Sequence, residues 1–216
     1  MDEIAARVKT DPVNLRLKHL HDERLIAVLK EAAKAAAWES RPSPVSAVPR
    51  TAIVRGRGIA CVAYEGDNGY AALVSEVDVD LNTGTVHPRR FVVAIDAGPI
   101  SNPDGLRNQT EGGILQGASR ALGERVTWDN KKVTSIDWET YHSLYLDVET
   151  PRIEVVLVDR KDVPALGAGE TAVTLSAASM GNAIFDATGL RLREVPFTPE
   201  TVQAALRESA GQRKAS

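Results

Sequence analysis

Tyr70-Ala71-Ala72-Leu73-Val74-Ser75-Glu76-Val77-Asp78-Val79-Asp80-Leu81, then Asn82-Thr83-Gly84, then the run from Val86 to Ala97: this stretch decides the fold. In its first part Ala72, Val74 and Glu76 fall on one side, with Leu73, Val77 and Val79 distributed along the rest, as in a strand. Asn82-Thr83-Gly84 reads as a hairpin turn, because glycine is free to take positive φ. Val86 to Ala97 returns as the partner strand. Upstream, Gly58-Ile59-Ala60-Cys61-Val62-Ala63-Tyr64 reads as another strand, so residues 52–98 form an antiparallel meander.

Outward from the meander the periodicity changes. Residues 2–37 read as helices. Asp11-Pro12 gives a start signal for the second, and the third runs from about Glu23 to Trp38. The stretch from Ser40 to Pro49 is an extended linker, since each proline removes a donor and disfavours helix before it. On the other side, Asn102-Pro103 opens a long helix reaching about Leu122, asparagine as N-cap and proline in the first turn. A turn at Asp129-Asn130 and a poorly periodic stretch to Tyr145 follow, then a strand from Arg152 to Val158. A loop, Gly167-Ala168-Gly169-Glu170, leads into a small-residue helix from about Ala172 to Thr188. Gly189 ends it, Pro199 to Arg207 makes the last helix, and Ser209 to Ser216 reads as a frayed tail.

Composition excludes several functions. The net charge is −3 with Lys and Arg scattered, which argues against a nucleic-acid groove or a basic membrane patch. Cys61 is the one cysteine, so an internal disulfide, a cysteine-ligated iron–sulfur cluster and a Cys-rich zinc site are all ruled out. His19 and His21 share a helical stretch in which their rings point apart, so no metal site is assigned. No apolar run of about 18 residues exists to span a bilayer. The acidic N-terminus lacks a signal-peptide core, which points to the cytoplasm, or to the periplasm if a longer form carries an export signal.

Two places look chemical. The first is Asn108-Gln109-Thr110-Glu111-Gly112-Gly113-Ile114-Leu115-Gln116-Gly117, where each helical glycine costs roughly 1 kcal/mol relative to alanine. Such a cost implies that something comes close to the backbone. Gln109, Gly113, Gln116 and Arg120 share one face, and Ile114, Leu115, Ala118, Ala121 and Leu122 lie opposite. Bare backbone between two amides suits a flat heterocycle with polar edges. Close helix packing with two solvated glutamines explains the same pattern. The second place is Leu166-Gly167-Ala168-Gly169-Glu170-Thr171-Ala172. A carboxylate at a helix start, flanked by glycines that admit a ligand, can act as a general base. A glutamate that only stabilises the first turn is the alternative.

These residues resemble a known family. The run from Asn108 through Gly117 to Leu122 is similar to the pterin-side helix of the xanthine dehydrogenase and aldehyde oxidase family, and Gly167-Ala-Gly-Glu170 resembles its Gly-x-Gly-Glu loop. Asn182 to Pro199 resembles the family's C-terminal ending. Met1-Asp-Glu-Ile-Ala with Asp11-Pro-Val-Asn-Leu-Arg-Leu resembles an internal segment of its large subunit, in the isoquinoline 1-oxidoreductase manner. The resemblance implies molybdopterin as cofactor, bound only with the remainder of the subunit. It further implies hydroxylation of aldehydes or N-heterocycles with water-derived oxygen, with Glu170 as general base. Gln109, Gly112, Gly113, Gln116, Gly167 and Gly169 would meet the cofactor. No residue of this chain is assigned as a metal ligand.

The family's glycine-phenylalanine-glycine and methionine-glycine-glutamine-glycine segments are absent. The expectation is therefore part of a longer subunit, a split gene product or a remnant, inactive alone. Its partners would be the rest of the subunit and a separate 2Fe-2S subunit. An apolar patch near the glycine face of the 103–122 helix would favour self-association. The rival from another class is a non-catalytic interaction domain that keeps the fold. The expected fold is α+β, helices packed on a mixed, largely antiparallel sheet. Residues 1–50 would form a helical segment and linker, 51–208 the cofactor-binding domain and 209–216 a flexible tail.

Overall fold

Strands β1 (Ile53–Ala63), β2 (Tyr70–Asp80) and β3 (Val86–Asp96) form the expected antiparallel meander. The computed structural model describes residues 1–44, 51–66, 68–144 and 150–215, so linker residues 45–49 and Tyr145 lie outside it. The hairpin closes at Gly84, φ 78°, where Asp80 Oδ1 accepts from the Asn82 amide at 2.8 Å. β4 (Arg152–Leu157) adds beside β3 in parallel, giving a mixed sheet of order β1-β2-β3-β4. A parallel neighbour needs a long crossover, and α4 (Pro103–Leu122) lies within it. At the β2–β3 pairing Glu76 opposes Arg90 and Val77 opposes Pro88, so Arg89 is the extra residue of a β-bulge. That one residue changes the phase of β3, and Val86 and Phe91 come to share a face.

Both faces of the sheet are covered. On one, Leu73, Val77, Phe91 and Ile95 pack with Ile114 and Ala118 of α4. Met180 and Ile184 of α5 (Ser176–Thr188) and Val202 of α6 (Pro199–Ala215) join them. Fully burying a side chain such as Phe91 stabilises by roughly 1.5–3 kcal/mol. On the other face Ala72, Val74, Val92 and Ala94 meet Val13 of α2 (Pro12–His19) and Val28, Leu29 and Ala32 of α3 (Glu23–Ala35). A short α1 (Asp2–Arg7) precedes them. The change near residue 50 is therefore one from helices to strands, and the helices before it share a core with the sheet.

Two buried aspartates pin the layers together. Asp186 of α5 accepts from both terminal nitrogens of Arg41 at 2.7 Å, from Ser43 Oγ at 2.8 Å and from the Arg57 amide at 3.1 Å. Asp96, at the end of β3, accepts from Arg24 Nε and Nη2 at 2.9 and 2.6 Å and from the Gly98 amide at 2.9 Å. Such bidentate, charge-assisted pairs fix geometry as well as contribute energy. α5 lies directly on β1, because a side chain at Gly58 would overlap the carbonyl oxygen of Ser179. That contact sets where the chain entering α5 must run.

Two helix limits differ from the sequence expectation. The helix expected from Ala172 begins at Ser176, after a separate 3₁₀ turn, Val173–Leu175. Thr171, Val173 and Thr174 are β-branched, and Thr174 Oγ1 donates to the Thr171 carbonyl at 2.8 Å, which favours the tighter turn. At the other end α6 continues past Arg207 to Ala215, since Gln212 to Ala215 are all good helix formers with no proline to stop them.

Candidate functional site

The loop from Leu166 to Glu170 runs across the ends of β2 and β3 and is anchored from three directions. The Leu166 amide donates to the Ala97 carbonyl at 2.8 Å, and the Gly69 amide donates to the Gly167 carbonyl at 2.7 Å. From α4, Gln109 Nε2 donates to the Gly169 carbonyl at 2.6 Å. These bonds bring the two chemical places of the sequence together. Glu170 stands exposed at the end of the loop, with its Oε2 accepting from Tyr64 Oη at 2.9 Å. It lies before the 3₁₀ turn rather than in the first turn of α5, so it does not cap that helix.

The four glycines assigned to the site differ in what surrounds them. At Gly112 and Gly169 a Cβ would meet nothing within 4 Å. At Gly113, which is buried, it would touch Ala172 Cβ and the Val173 amide at 3.5 Å. At Gly167 it would overlap Asn68 Oδ1. Gly113 and Gly167 therefore shape the site from behind, whereas Gly112 and Gly169 offer open backbone. Gln116 is exposed on α4, about 10 Å along the axis from Gln109.

Electrostatically, the site is marked by Tyr64. The pKa of its phenol is pushed up to about 12, first by donating to the Glu170 carboxylate and then by loss of solvent and by the charges of Glu170 and Glu65. Tyr64 thus remains a neutral donor through the whole neutral range. A cleft of about 370 Å³ adjoins the loop, lined in part by Ile100, Asn102, Leu106, Gln109, Ala168 and Gly169. A larger cavity of about 750 Å³ lies between α1, α2, β1 and α5 and touches no residue of the loop. Size does not locate the chemistry here: among the arginines of the larger cavity, Arg16 and Arg193 are paired with Asp2 and Glu3 at 2.6 Å.

The donor set fits one side of a flat heterocycle with polar edges: two exposed amides, two stretches of open backbone and a carboxylate. Among the described residues no group of three or more His, Cys, Asp or Glu is placed to hold a metal ion. No described helix is long and apolar enough to cross a membrane. Sequence reasoning misses Tyr64 and Asn68, because Tyr64 reads simply as the end of a strand. The turn signature Asn68-Gly69 places them at that end of the sheet, but only the tertiary pairing Asn68–Gly167 puts them on the glutamate loop. Among the described residues α4 carries no exposed large apolar side chain, and the 3₁₀ turn and Ser176 cover Gly113 and Gly117, so the apolar patch expected on its glycine face is not seen. The exposed large apolar side chains instead include Val126, Trp128, Val133, Ile136 and Trp138, all in the excursion after α4.

The chain is similar to known proteins over most of its length. The family model described as molybdopterin cofactor-binding domain matches residues 3–147. A nicotinate dehydrogenase subunit of Pseudomonas putida is 41% identical over 212 residues, covering 95% of this chain and 18% of that protein. The beta subunit of isoquinoline 1-oxidoreductase from Brevundimonas diminuta is 32% identical, over 94% of this chain and 25% of that one. The solved aldehyde oxidoreductase from Desulfovibrio gigas is similar at a TM-score of 0.57 and 30% identity, covering 64% of this chain and 15% of that one. Quinoline 2-oxidoreductase from Pseudomonas putida 86 shares the fold at a TM-score of 0.60, with 23% identity over 65% of this chain and 19% of that one.

The chain belongs to the molybdopterin cofactor-binding domain family, the cofactor-binding part of oxidoreductases of the xanthine dehydrogenase and aldehyde oxidase type. Molybdopterin is the cofactor of that family. The chain spans between 18% and 28% of the length of the first three curated relatives.

Proposed function

We propose that this chain is the C-terminal portion of the molybdopterin-binding subunit of an enzyme that hydroxylates aldehydes or N-heterocycles with water-derived oxygen. The observation that carries this is the convergence of an exposed carboxylate, Glu170, with the open backbone of Gly169 and the amide of Gln109. Gln109, Gly112, Gln116 and Gly169 would face the cofactor, while Gly113 and Gly167 let the supporting elements come close. Bound molybdopterin would supply the redox chemistry, taking the two electrons of substrate oxidation.

Glu170 does the proton work. Replacing C–H by C–OH with oxygen from water releases two protons and two electrons, and Glu170 acts as the general base for the first proton. Its Oε2 is engaged by Tyr64, whereas Oε1 accepts no hydrogen bond among the described residues. The hydrogen bond from Gln109 to the Gly169 carbonyl holds the backbone next to the carboxylate, and general-base catalysis depends on such placement. One side of the cofactor cradle is built here, so the remainder of the subunit is a required partner and the chain alone has no turnover. With Cys61 as its one cysteine, this chain cannot ligate a cluster, and a separate 2Fe-2S subunit would carry the electrons onward. The exposed Trp128 and Ile136 mark a surface for such partners or for self-association.

The test is to crowd the open backbone without touching the carboxylate. In the complete subunit, Gly112→Leu should fold normally, since nothing lies within 4 Å of the new Cβ. Pterin retained on purification should fall about tenfold, the equivalent of ~1.4 kcal/mol of binding. Full retention of pterin would remove Gly112 from the cofactor face and undercut the reading.

A further inference from the structure

One contact reaches the Glu170 carboxylate from outside its own loop, and it comes from the β1–β2 turn. Tyr64 is the first residue after β1, and two backbone bonds hold it: its amide donates to the Gly69 carbonyl at 3.2 Å, and its carbonyl accepts from the Asn68 amide at 3.1 Å. Glu65 and Gly66 between them take φ of 51° and 75°, the left-handed pair that reverses the chain this tightly. The same turn is tied to the glutamate loop by the bond from the Gly69 amide to the Gly167 carbonyl at 2.7 Å. The phenol and the carboxylate are therefore mounted on two elements that are locked to each other.

We propose that Tyr64 is the positioning residue of Glu170, donating from Oη to Oε2 and so leaving Oε1 as the oxygen that takes the proton. This rests on Glu170 being the general base. An exposed glutamate after a glycine has many rotamers, and a hydrogen bond from a half-buried phenol selects among them. The phenol keeps its proton throughout, so it never competes for the substrate's proton. Being held near 12 follows chiefly from the same contact, because ionisation would give up the hydrogen bond to the carboxylate, and, after loss of solvent, a phenolate there would also be repelled. No atom of Tyr64 is consumed or reduced in the reaction; its contribution is orientation alone.

The test uses two readouts. In the complete subunit, at equal molybdenum and pterin content, Tyr64→Phe should lower kcat about tenfold with KM changed less than about twofold, the pattern of a contribution made in the transition state. Melting temperature should stay at the parent's value, because the ring and the turn remain. Adding Tyr64→Phe to Glu170→Gln should cost nothing more. The second readout needs no cofactor: with carbon-13 at the tyrosine Cζ atoms of the 216-residue chain, Tyr64 should titrate near 12 and move down toward 10 in Glu170→Gln. A Tyr64→Phe enzyme with the parent's kcat, beside a dead Glu170→Gln, overturns the positioning role and leaves the base assignment standing. Titration of Tyr64 near 10 in the parent overturns the contact itself. If Glu170→Gln keeps full turnover, the base assignment falls and the positioning role falls with it.

Discussion

Gly112 and Gly117 lie on the same helix, yet the space where a side chain would begin is empty at one and filled at the other. A Cβ at Gly112 meets nothing within 4 Å, whereas at Gly117 it would stand 2.6 Å from both the Val173 carbonyl oxygen and Ser176 Oγ. The glutamate loop repeats the contrast, with Gly169 open and Gly167 filled by Asn68. A glycine in a helix thus says that something comes close, without saying what. In α4 the packed glycines let the 3₁₀ turn before α5 lie against the helix, and that contact holds the loop carrying Glu170 in place. The open ones leave bare backbone, which is the backbone proposed to face the cofactor. The packing reading of the pattern holds at Gly113 and Gly117, and the ligand-facing reading is the one proposed above for Gly112 and Gly169.

The contrast can be broken by adding one methyl group at each position. Gly117→Ala should destabilise, since it must displace a backbone carbonyl. Overpacking costs roughly 1–3 kcal/mol, partly offset by the better helix propensity of alanine, ~1 kcal/mol. For a chain of this size that is a fall in melting temperature of up to about 8 °C. A rise in melting temperature would show that the 3₁₀ turn does not pack against Gly117. Gly112→Ala gives the smaller effect and the opposite sign. With space around it, the gain is up to about 1 kcal/mol, seen as a rise of a few degrees. A loss of stability there would mean that a neighbour occupies the open side.

The meander is legible in the sequence because its hairpin turn and alternation are local. The N-caps are legible for the same reason, with Asp11 and Asn102 each accepting from the first-turn amides. What escapes is tertiary. The small-residue pattern puts the start of α5 at Ala172, but β-branched Thr171, Val173 and Thr174 favour a tighter turn first. The angular position of Gly113 on its helix assigns it to the ligand face, and it is the neighbouring 3₁₀ turn that claims it. Gln109 is exposed on its helix, and its bond to Gly169 joins two motifs some sixty residues apart. Tyr64 carries no signal at all. Nothing in a strand-ending tyrosine announces a hydrogen bond 106 residues away.

The central claim is that Glu170 is the proton acceptor of a molybdopterin site and not a structural residue. Its most direct test is Glu170→Gln in the complete subunit, with cofactor content, melting temperature and turnover measured on the same preparation. Glutamine is nearly isosteric, and its amide can still accept from Tyr64, so the fold and cofactor content should match the parent. Turnover should fall by about 10²–10⁴-fold, the usual cost of losing a general base. Turnover within about threefold of the parent, far below that general-base effect, with cofactor content equal, would contradict the assignment.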